Sequence, residues 1–179
     1  MGSVGEAAMR RTAGGLEPAG PGWFVLNAGE ACWWRDPRLG SYCPFEAEGA
    51  RFPALGVNLH VLRPGEPNGM YHGEPAQEDF LVLRGECLLI VEGRERLLRA
   101  WDFVHCPPGT DHVFVGAGTG PCLVLMIGAR GGGGPHYPVA EAALRHGAGV
   151  ERATDDEKEA YAPFGPLVRA TAGAVGFPP

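Results

Sequence analysis

Histidine and carboxylate side chains recur in two short segments in the middle of the chain. The first segment carries His72, Glu74 and Glu78, and the second ends with His112. If the chain near His72 is extended, His72 and Glu74 point to the same face, because side chains alternate along a strand. Two imidazoles and a carboxylate form a ligand set for a divalent first-row metal that leaves coordination positions open for water or substrate.

The turns around these residues indicate how separate strands could bring them together. Glu78 lies just past the bend at Pro75, at the start of the next predicted strand, and His112 follows a Pro-Pro-Gly-Thr turn and opens a later strand. Side chains from separate strands converge inside a small barrel. Glu74 either adds a fourth ligand or, if it stays unbound, acts as a general base.

The elements that must position these residues are short and β-prone. From Gly56 onward, runs of β-branched and aliphatic residues alternate with turn residues, without helical interludes. Many short strands at close spacing predict an all-β sandwich or barrel. The predicted strands are residues 57–62, 79–83, 86–92, 95–99, 102–106, 112–115 and 122–127. Two of them flank Gly93-Arg94, which predicts a hairpin turn.

Composition shifts divide the chain into three predicted units. These are a flexible N-terminal arm, a β-barrel, and a Gly-rich hinge with short helices and a loose tail, at residues 1–21, 22–130 and 131–179. In the last unit, residues 138–146 read as a short helix that ends before Gly147. Thr154 and Glu157 form a capping-box pattern for a second helix that runs to about Tyr161.

The two segments resemble the paired motifs of the cupin family. Its first motif contains His-x-His, a short spacer, Glu, six residues and Gly, and here Glu78, six residues and Gly85 match its end. Its second motif contains Pro-x-Gly, two residues and His, which Pro107-Pro108-Gly109 and His112 match. The resemblance covers residues 56–128 and leaves both ends of the chain outside it.

The resemblance implies a double-stranded β-helix, or jelly-roll barrel, with one divalent metal such as Zn, Mn, Fe or Ni. By position, His72, Glu78 and His112 stand where the family has metal ligands. Glu74 replaces the second His of the first motif, which shifts the site towards oxygen ligands. The chain also departs from the family at Trp101, where the second motif opens with Gly, and at Gly116, where that motif ends with Asn.

Two other polar residues fall on a predicted strand near the site. Asn58 and His60 alternate with Val57, Leu59 and Val61. We interpret them as polar residues on the outer face of the strand, with a place at the cavity mouth as the alternative.

Composition excludes several classes of partner. The net charge is −6 and no run of Lys or Arg forms a basic stripe, so nucleic acid is not an expected partner. The apolar runs are too short to span a bilayer, so no membrane is expected. Five cysteines without framework spacing, and an N-terminus without the apolar run of a signal peptide, predict a cytoplasmic protein.

The family contains oxygenases, decarboxylases, isomerases and plain binders, so the fold alone does not select an activity. The first hypothesis is a metal-dependent oxygenase, isomerase or decarboxylase that acts on a small polar or anionic molecule. The alternative is a non-catalytic binding or sensor protein with the same metal site, and a third reading is an inert barrel that docks a neighbour. The apolar segment 23–34, with Trp23, Phe24, Trp33 and Trp34, predicts a homodimer interface.

Overall fold

The computed structural model describes residues 2–177 as a mostly β protein with three short helices. The strands are β1 (Met9–Thr12), β2 (Gly15–Pro18), β3 (Trp33–Arg35), β4 (Ser41–Cys43), β5 (Leu55–Leu62), β6 (His72–Gly73), β7 (Glu78–Arg84), β8 (Glu86–Val91), β9 (Arg94–Arg99), β10 (Phe103–Cys106), β11 (Asp111–Ala117), β12 (Cys122–Ala129) and β13 (Val168–Ala170). The helices are α1 (Glu141–Arg145), α2 (Glu157–Ala160) and α3 (Ala172–Val175). None of the helices in this part of the chain is long and apolar enough to cross a membrane.

Two antiparallel sheets form the barrel. The larger has seven strands in the order β10-β7-β12-β5-β4-β3-β13, and the smaller has four in the order β6-β11-β8-β9. Alternate residues of both sheets meet in one buried cluster, which includes Val82 and Val124 of the larger sheet and Leu89 and Phe114 of the smaller. This arrangement confirms the predicted all-β jelly-roll barrel.

The β8–β9 hairpin shows how local sequence sets the register. Val91 pairs with Arg94, so the turn consists of Glu92 and Gly93, one residue earlier than the predicted Gly93-Arg94. Both turn residues have positive φ, 49° and 69°. This is the type I′ geometry that matches strand twist, and glycine adopts it without strain. The hairpin therefore fixes which residues of β8 face the core.

The N-terminal segment forms a hairpin where the sequence predicted a flexible arm. β1 pairs with β2, and Leu16 and Cys32 bond through their backbones, with the Cys32 N–H donating to the Leu16 carbonyl at 2.9 Å. The buried carboxylate of Glu17 forms ion pairs with Arg10 at 2.5 Å and with Arg169 at 3.5 Å. Strands of four residues around a glycine pair carry little periodic signal, so this ordering comes from contacts distant in sequence.

The C-terminal segment also completes the barrel, although the sequence predicted a loose tail. β13 adds an edge strand to the larger sheet by pairing with β3. Phe177 then packs on Trp33 with ring centroids 5.2 Å apart, and Val175 of α3 is buried in the same cluster. A three-residue strand and an Ala/Gly-rich helix lack a recognisable pattern, and both are stabilised by the sheet they contact.

The short helices differ in detail from the prediction. α1 lies within the predicted range 138–146. α2 begins at Glu157 with Asp156 as its N-cap, whose carboxylate accepts from the Lys158 N–H. The predicted cap, Thr154, instead accepts from the Asp156 N–H and donates to Glu159.

Trp33 belongs to the core of this chain and not to an exposed aromatic patch. Its side chain is 0% exposed and its indole N–H donates to the Ala28 carbonyl at 2.9 Å. The predicted apolar patch of segment 23–34 therefore lacks Trp33 and keeps exposed residues such as Trp23, which is 52% exposed. The homodimer stays a prediction.

We predict that Trp33→Ala lowers the free energy of unfolding by about 3–5 kcal/mol, because it leaves a large cavity beneath Phe177. Chemical denaturation followed by circular dichroism measures this change. The control is Trp101→Ala, since Trp101 is 75% exposed and its loss should cost below about 1 kcal/mol. Equal losses in the two variants would contradict the role assigned to Trp33.

Candidate metal centre

Three strands bring two imidazoles and one carboxylate together. His72 lies in β6, which pairs with β11 so that His72 stands opposite His112. Glu78 opens β7 on the facing sheet, and its Oε2 lies 3.4 Å from His112 Nε2. One potential ligand atom from each of the three residues lies within 4.8 Å of the other two. The structure thus brings together three of the four residues predicted as ligands.

Backbone carbonyls orient both imidazoles. The Nδ1 atom of His72 lies 2.7 Å from the Met70 carbonyl oxygen, and that of His112 lies 3.0 Å from the Thr110 carbonyl oxygen. A carbonyl only accepts, so each Nδ1 carries the proton and each Nε2 keeps its lone pair. Metal-binding histidines have this second contact, which fixes the ring and its tautomer. The Nε2 atom of His72 faces Glu74 Oε1 at 3.9 Å, and that of His112 faces Glu78 Oε2 at 3.4 Å.

Burial sets the protonation states of the cluster. Burial, with a smaller contribution from the negative charge of Glu74, raises the pKa of Glu78 to about 7. Burial and the neighbouring His72 lower the pKa of His112 to about 4. The buried Glu78 carboxyl group is difficult to ionise, and the adjacent His112 imidazole is neutral. These potential ligands therefore have no positive charge beside them. A divalent cation supplies that charge, so these residues fit a metal ion.

Glu74 lies beside the cluster. Its Oε1 is 3.9 Å from His72 Nε2, and within residues 2–177 the compact ligand group consists of His72, Glu78 and His112. The Glu74 carbonyl accepts from the Gly109 N–H at 2.7 Å, which ties the bend after β6 to the Pro-Pro-Gly turn before β11. Both predicted roles for Glu74, metal ligand and general base, stay predictions.

The cluster lies in the wall of a cavity of about 720 Å³. Asn58 and His60 of β5 line this cavity, so their predicted place on the outer face of the strand is wrong. The even-numbered residues of β5 face inward because Leu59 and Val61 pack into a second apolar cluster on the other face. Both faces of this strand are thus partly apolar, and simple alternation could not decide which face is outside.

Residues from outside the barrel close the cavity. The predicted hinge does reach the site, since Gly131 and Gly133 line the cavity, and the segment is anchored where His136 and Gly73 exchange two backbone hydrogen bonds of 3.0 and 3.1 Å. Tyr161 also lines the cavity, and its hydroxyl accepts from the Met70 N–H at 3.0 Å. No local pattern pointed to Tyr161, because 91 residues separate it from Met70.

Comparison with known families agrees with this geometry. Residues 58–128 match the family profile described as a cupin domain. The chain contains a domain of the cupin family. The matched residues include the cluster of His72, Glu78 and His112, and the segments before β5 and after β12 lie outside the match. Comparison with curated proteins finds no significant match.

Several solved structures are similar to part of this chain. A putative sugar phosphate isomerase from Acidithiobacillus ferrooxidans is 25% identical, with 51% of this chain and 59% of that chain covered and a TM-score of 0.46. A sugar phosphate isomerase from Silicibacter pomeroyi is 26% identical, with 51% and 60% covered and a TM-score of 0.46. A cupin 2 domain-containing protein from Halorhodospira halophila is 22% identical, with 56% and 69% covered and the same TM-score. The similarity spans about three fifths of each isomerase, and at these TM-scores it supports no assignment of activity.

We predict that the purified protein carries about one divalent transition metal per chain and that His112→Ala loses most of it. The control is His105→Ala, because His105 lies on the outer face of β10, bonded to Asp79 at 2.7 Å. Elemental analysis of protein prepared without chelators measures the content. Wild type holding less than about a tenth of an equivalent, even after reconstitution with Zn, Mn, Fe and Ni, would rule the site out.

The protonation state of Glu78 gives the site a predictable pH dependence. Because the pKa of Glu78 is raised to about 7, metal must displace a proton below that pH. We expect the metal affinity to fall by about tenfold per unit as the pH drops below about 7. His112, with its pKa lowered to about 4, is already neutral across this range and adds no further loss. Competition with a chromophoric chelator between about pH 5.5 and about pH 8 measures the slope, and a flat profile would contradict the assignment.

Proposed function

We propose that this protein is a metal-dependent enzyme that acts on a small polar or anionic molecule. The observation that carries the proposal is the cluster of His72, Glu78 and His112 in the wall of a cavity of about 720 Å³. Three protein ligands leave positions on a first-row metal for a substrate oxygen. A cavity of this size holds a small metabolite together with water.

A metal held by these three residues would supply Lewis-acid chemistry or activate oxygen. The chain itself supplies a group that can move a proton. Glu74 lies 3.9 Å from His72 Nε2, and its side chain is 32% exposed, so it reaches both the cluster and the open part of the cavity. A carboxylate in this position can accept a proton from a substrate carbon or hydroxyl group.

Charge around the cavity favours a substrate that carries an anionic group. Arg51 and Arg130 both line the cavity. Arg130 pairs with Glu46 at 2.6 Å, whereas Arg51 forms no ion pair with any residue of the described chain. Guanidinium groups bind carboxylate and phosphate well. The interior carries the carboxylates of Glu74, Glu78 and Glu157, so an anionic group is best placed beside Arg51 or on the metal.

We predict that Glu74→Gln lowers kcat by about 10²- to 10⁴-fold, the usual effect of removing a general base, while metal content and substrate binding persist. The amide keeps the size of the side chain and removes the proton acceptor. The measurement is a screen of small acids, sugars and catechols on metal-loaded protein, followed by kinetics of each hit. The matched control is Glu157→Gln, a carboxylate of the same cavity that lies outside the metal cluster.

The screen also separates catalysis from binding. A Glu74→Gln variant that turns over at the wild-type rate shows that Glu74 is not the base. If several compounds bind the metal-loaded wild type and none is converted, the non-catalytic binding or sensor function replaces the enzymatic one.

A further inference from the structure

A second chamber adjoins the metal-lined cavity. This distal chamber, of about 440 Å³, is lined by Asp36, Tyr42, His60 and Phe164 among others. The two spaces share part of their wall, including Asn58, His60 and Tyr161. Its remaining walls come from residues 36–42 and 157–167, outside the matched cupin domain. The segments that flank the domain therefore build a space that the barrel alone does not have.

His60 projects into this shared wall without a protein partner. It is 9% exposed, and within residues 2–177 neither ring nitrogen makes a hydrogen bond, although neither is sealed from the cavities. Its ring stacks on Tyr42, with centroids 5.6 Å apart and 18° between the planes. Burial lowers the pKa of His60 to about 4, so the imidazole is neutral, with one donor and one acceptor. A buried polar ring held in place and left unpaired can bind a ligand.

Asp36 is the second unpaired group. The residue is 1% exposed, and its Oδ1 accepts from the N–H groups of Arg38 and Leu39 at 2.7 and 3.3 Å. Its Oδ2 has no hydrogen-bond partner among the described residues and is sealed from solvent, although Asp36 lines the distal chamber. Asp36 thus gives the chamber wall an acidic residue without offering an open acceptor atom.

The strand register separates these groups from the metal centre. Glu78 pairs with Gly128, and Gly128 pairs with Gly56, four residues before His60 on β5. The backbone at His60 is therefore about 13 Å further along the strands and about 10 Å across them. A ligand that contacts both the metal centre and His60 must therefore be elongated.

The groups that line the distal chamber favour a ligand that ends in a hydroxyl group. A hydroxyl group both donates and accepts, so it can pair with either ring nitrogen of the neutral His60 imidazole. An anionic end is repelled by Asp36 and Glu157, both of which line the chamber. An ammonium end suits Asp36 but cannot accept from the imidazole N–H. The cation-binding face of Phe164 is already covered by Arg38, 4.4 Å from the ring centroid.

We propose that the distal chamber is a second binding subsite that takes the hydroxyl-bearing end of an elongated ligand whose acidic end lies at the metal centre. This inference rests on the proposed function, because it places the other end of the same ligand at the metal. It makes His60 a specificity-determining residue for chain length and for distal hydroxyl groups.

The test compares three acids of equal length and equal chelating head. These are gluconate, 2-hydroxyhexanoate and 6-amino-2-hydroxyhexanoate, which differ only beyond the second carbon. Calorimetry on metal-loaded protein measures each affinity, and elemental analysis confirms that the metal is retained. Gluconate should bind at least about tenfold more tightly than 2-hydroxyhexanoate, which corresponds to about 1.4 kcal/mol.

Two variants then test whether the distal chamber causes the preference for gluconate over 2-hydroxyhexanoate. His60→Phe keeps the stacking on Tyr42 and removes both hydrogen-bonding atoms, so the gluconate preference should vanish while 2-hydroxyhexanoate binds as before. His105→Phe is the matched control, because this histidine lies on the outer face of β10, and it should leave the preference intact.

The other outcomes overturn the inference in distinguishable ways. Equal binding of gluconate and 2-hydroxyhexanoate to wild type, or a preference that survives His60→Phe, overturns the subsite and leaves the proposed function standing. If 6-amino-2-hydroxyhexanoate binds most tightly of the three acids, the proposed preference of the chamber for hydroxyl groups is wrong. If none of the three acids binds the metal-loaded protein, the inference is wrong, and the separate screen of small acids, sugars and catechols decides the proposed function.

Discussion

The central constraint in this protein is the burial of the Glu78 carboxyl group against the His112 imidazole, which cannot readily take a proton. Glu78 faces His112 at 3.4 Å across the interface between the two sheets. Glu78 and His112 do not readily form an ion pair, because burial raises the pKa of Glu78 and lowers the pKa of His112. The barrel keeps these groups together only because the surrounding core holds them in place. A rigid core is therefore what allows an unfavourable arrangement of polar groups to persist.

The sequence predicted the part of the fold in which local pattern and tertiary structure agree. The hairpin between β8 and β9 was predictable to within one residue, since its turn carries a glycine at positive φ. The cluster of His72, Glu78 and His112 was predictable because each residue stands next to a bend or turn that sets its direction. In these places the chemistry and the backbone signal lie within a few residues of each other.

The rest could not be predicted because its stability comes from contacts distant in sequence. Glu17 looks like a surface residue in an Ala/Gly-rich stretch, yet Arg169 pairs with it from the other end of the chain. β13 is three residues long and exists as an edge strand because β3 offers it a partner. His60 was misplaced for a related reason, since both faces of β5 are partly buried and alternation does not identify the outside. Short elements that depend on their neighbours leave little trace in local composition.

Gly73 connects the glycine-rich segment to His72 through the backbone. A Cβ atom at this position would lie 2.5 Å from Asp111 Oδ1 and 2.9 Å from His136 Nε2, so only glycine fits beneath the contact of His136 with Asp111. Because His72 is the neighbouring residue of the same two-residue strand, displacement of His136 would strain the strand that carries His72. Coupling between two positions is reciprocal, so a ligand that held His72 in place would also favour the docked position of His136 by the same free energy. The link between the candidate metal centre and the glycine-rich segment is thus a single residue that has no side chain.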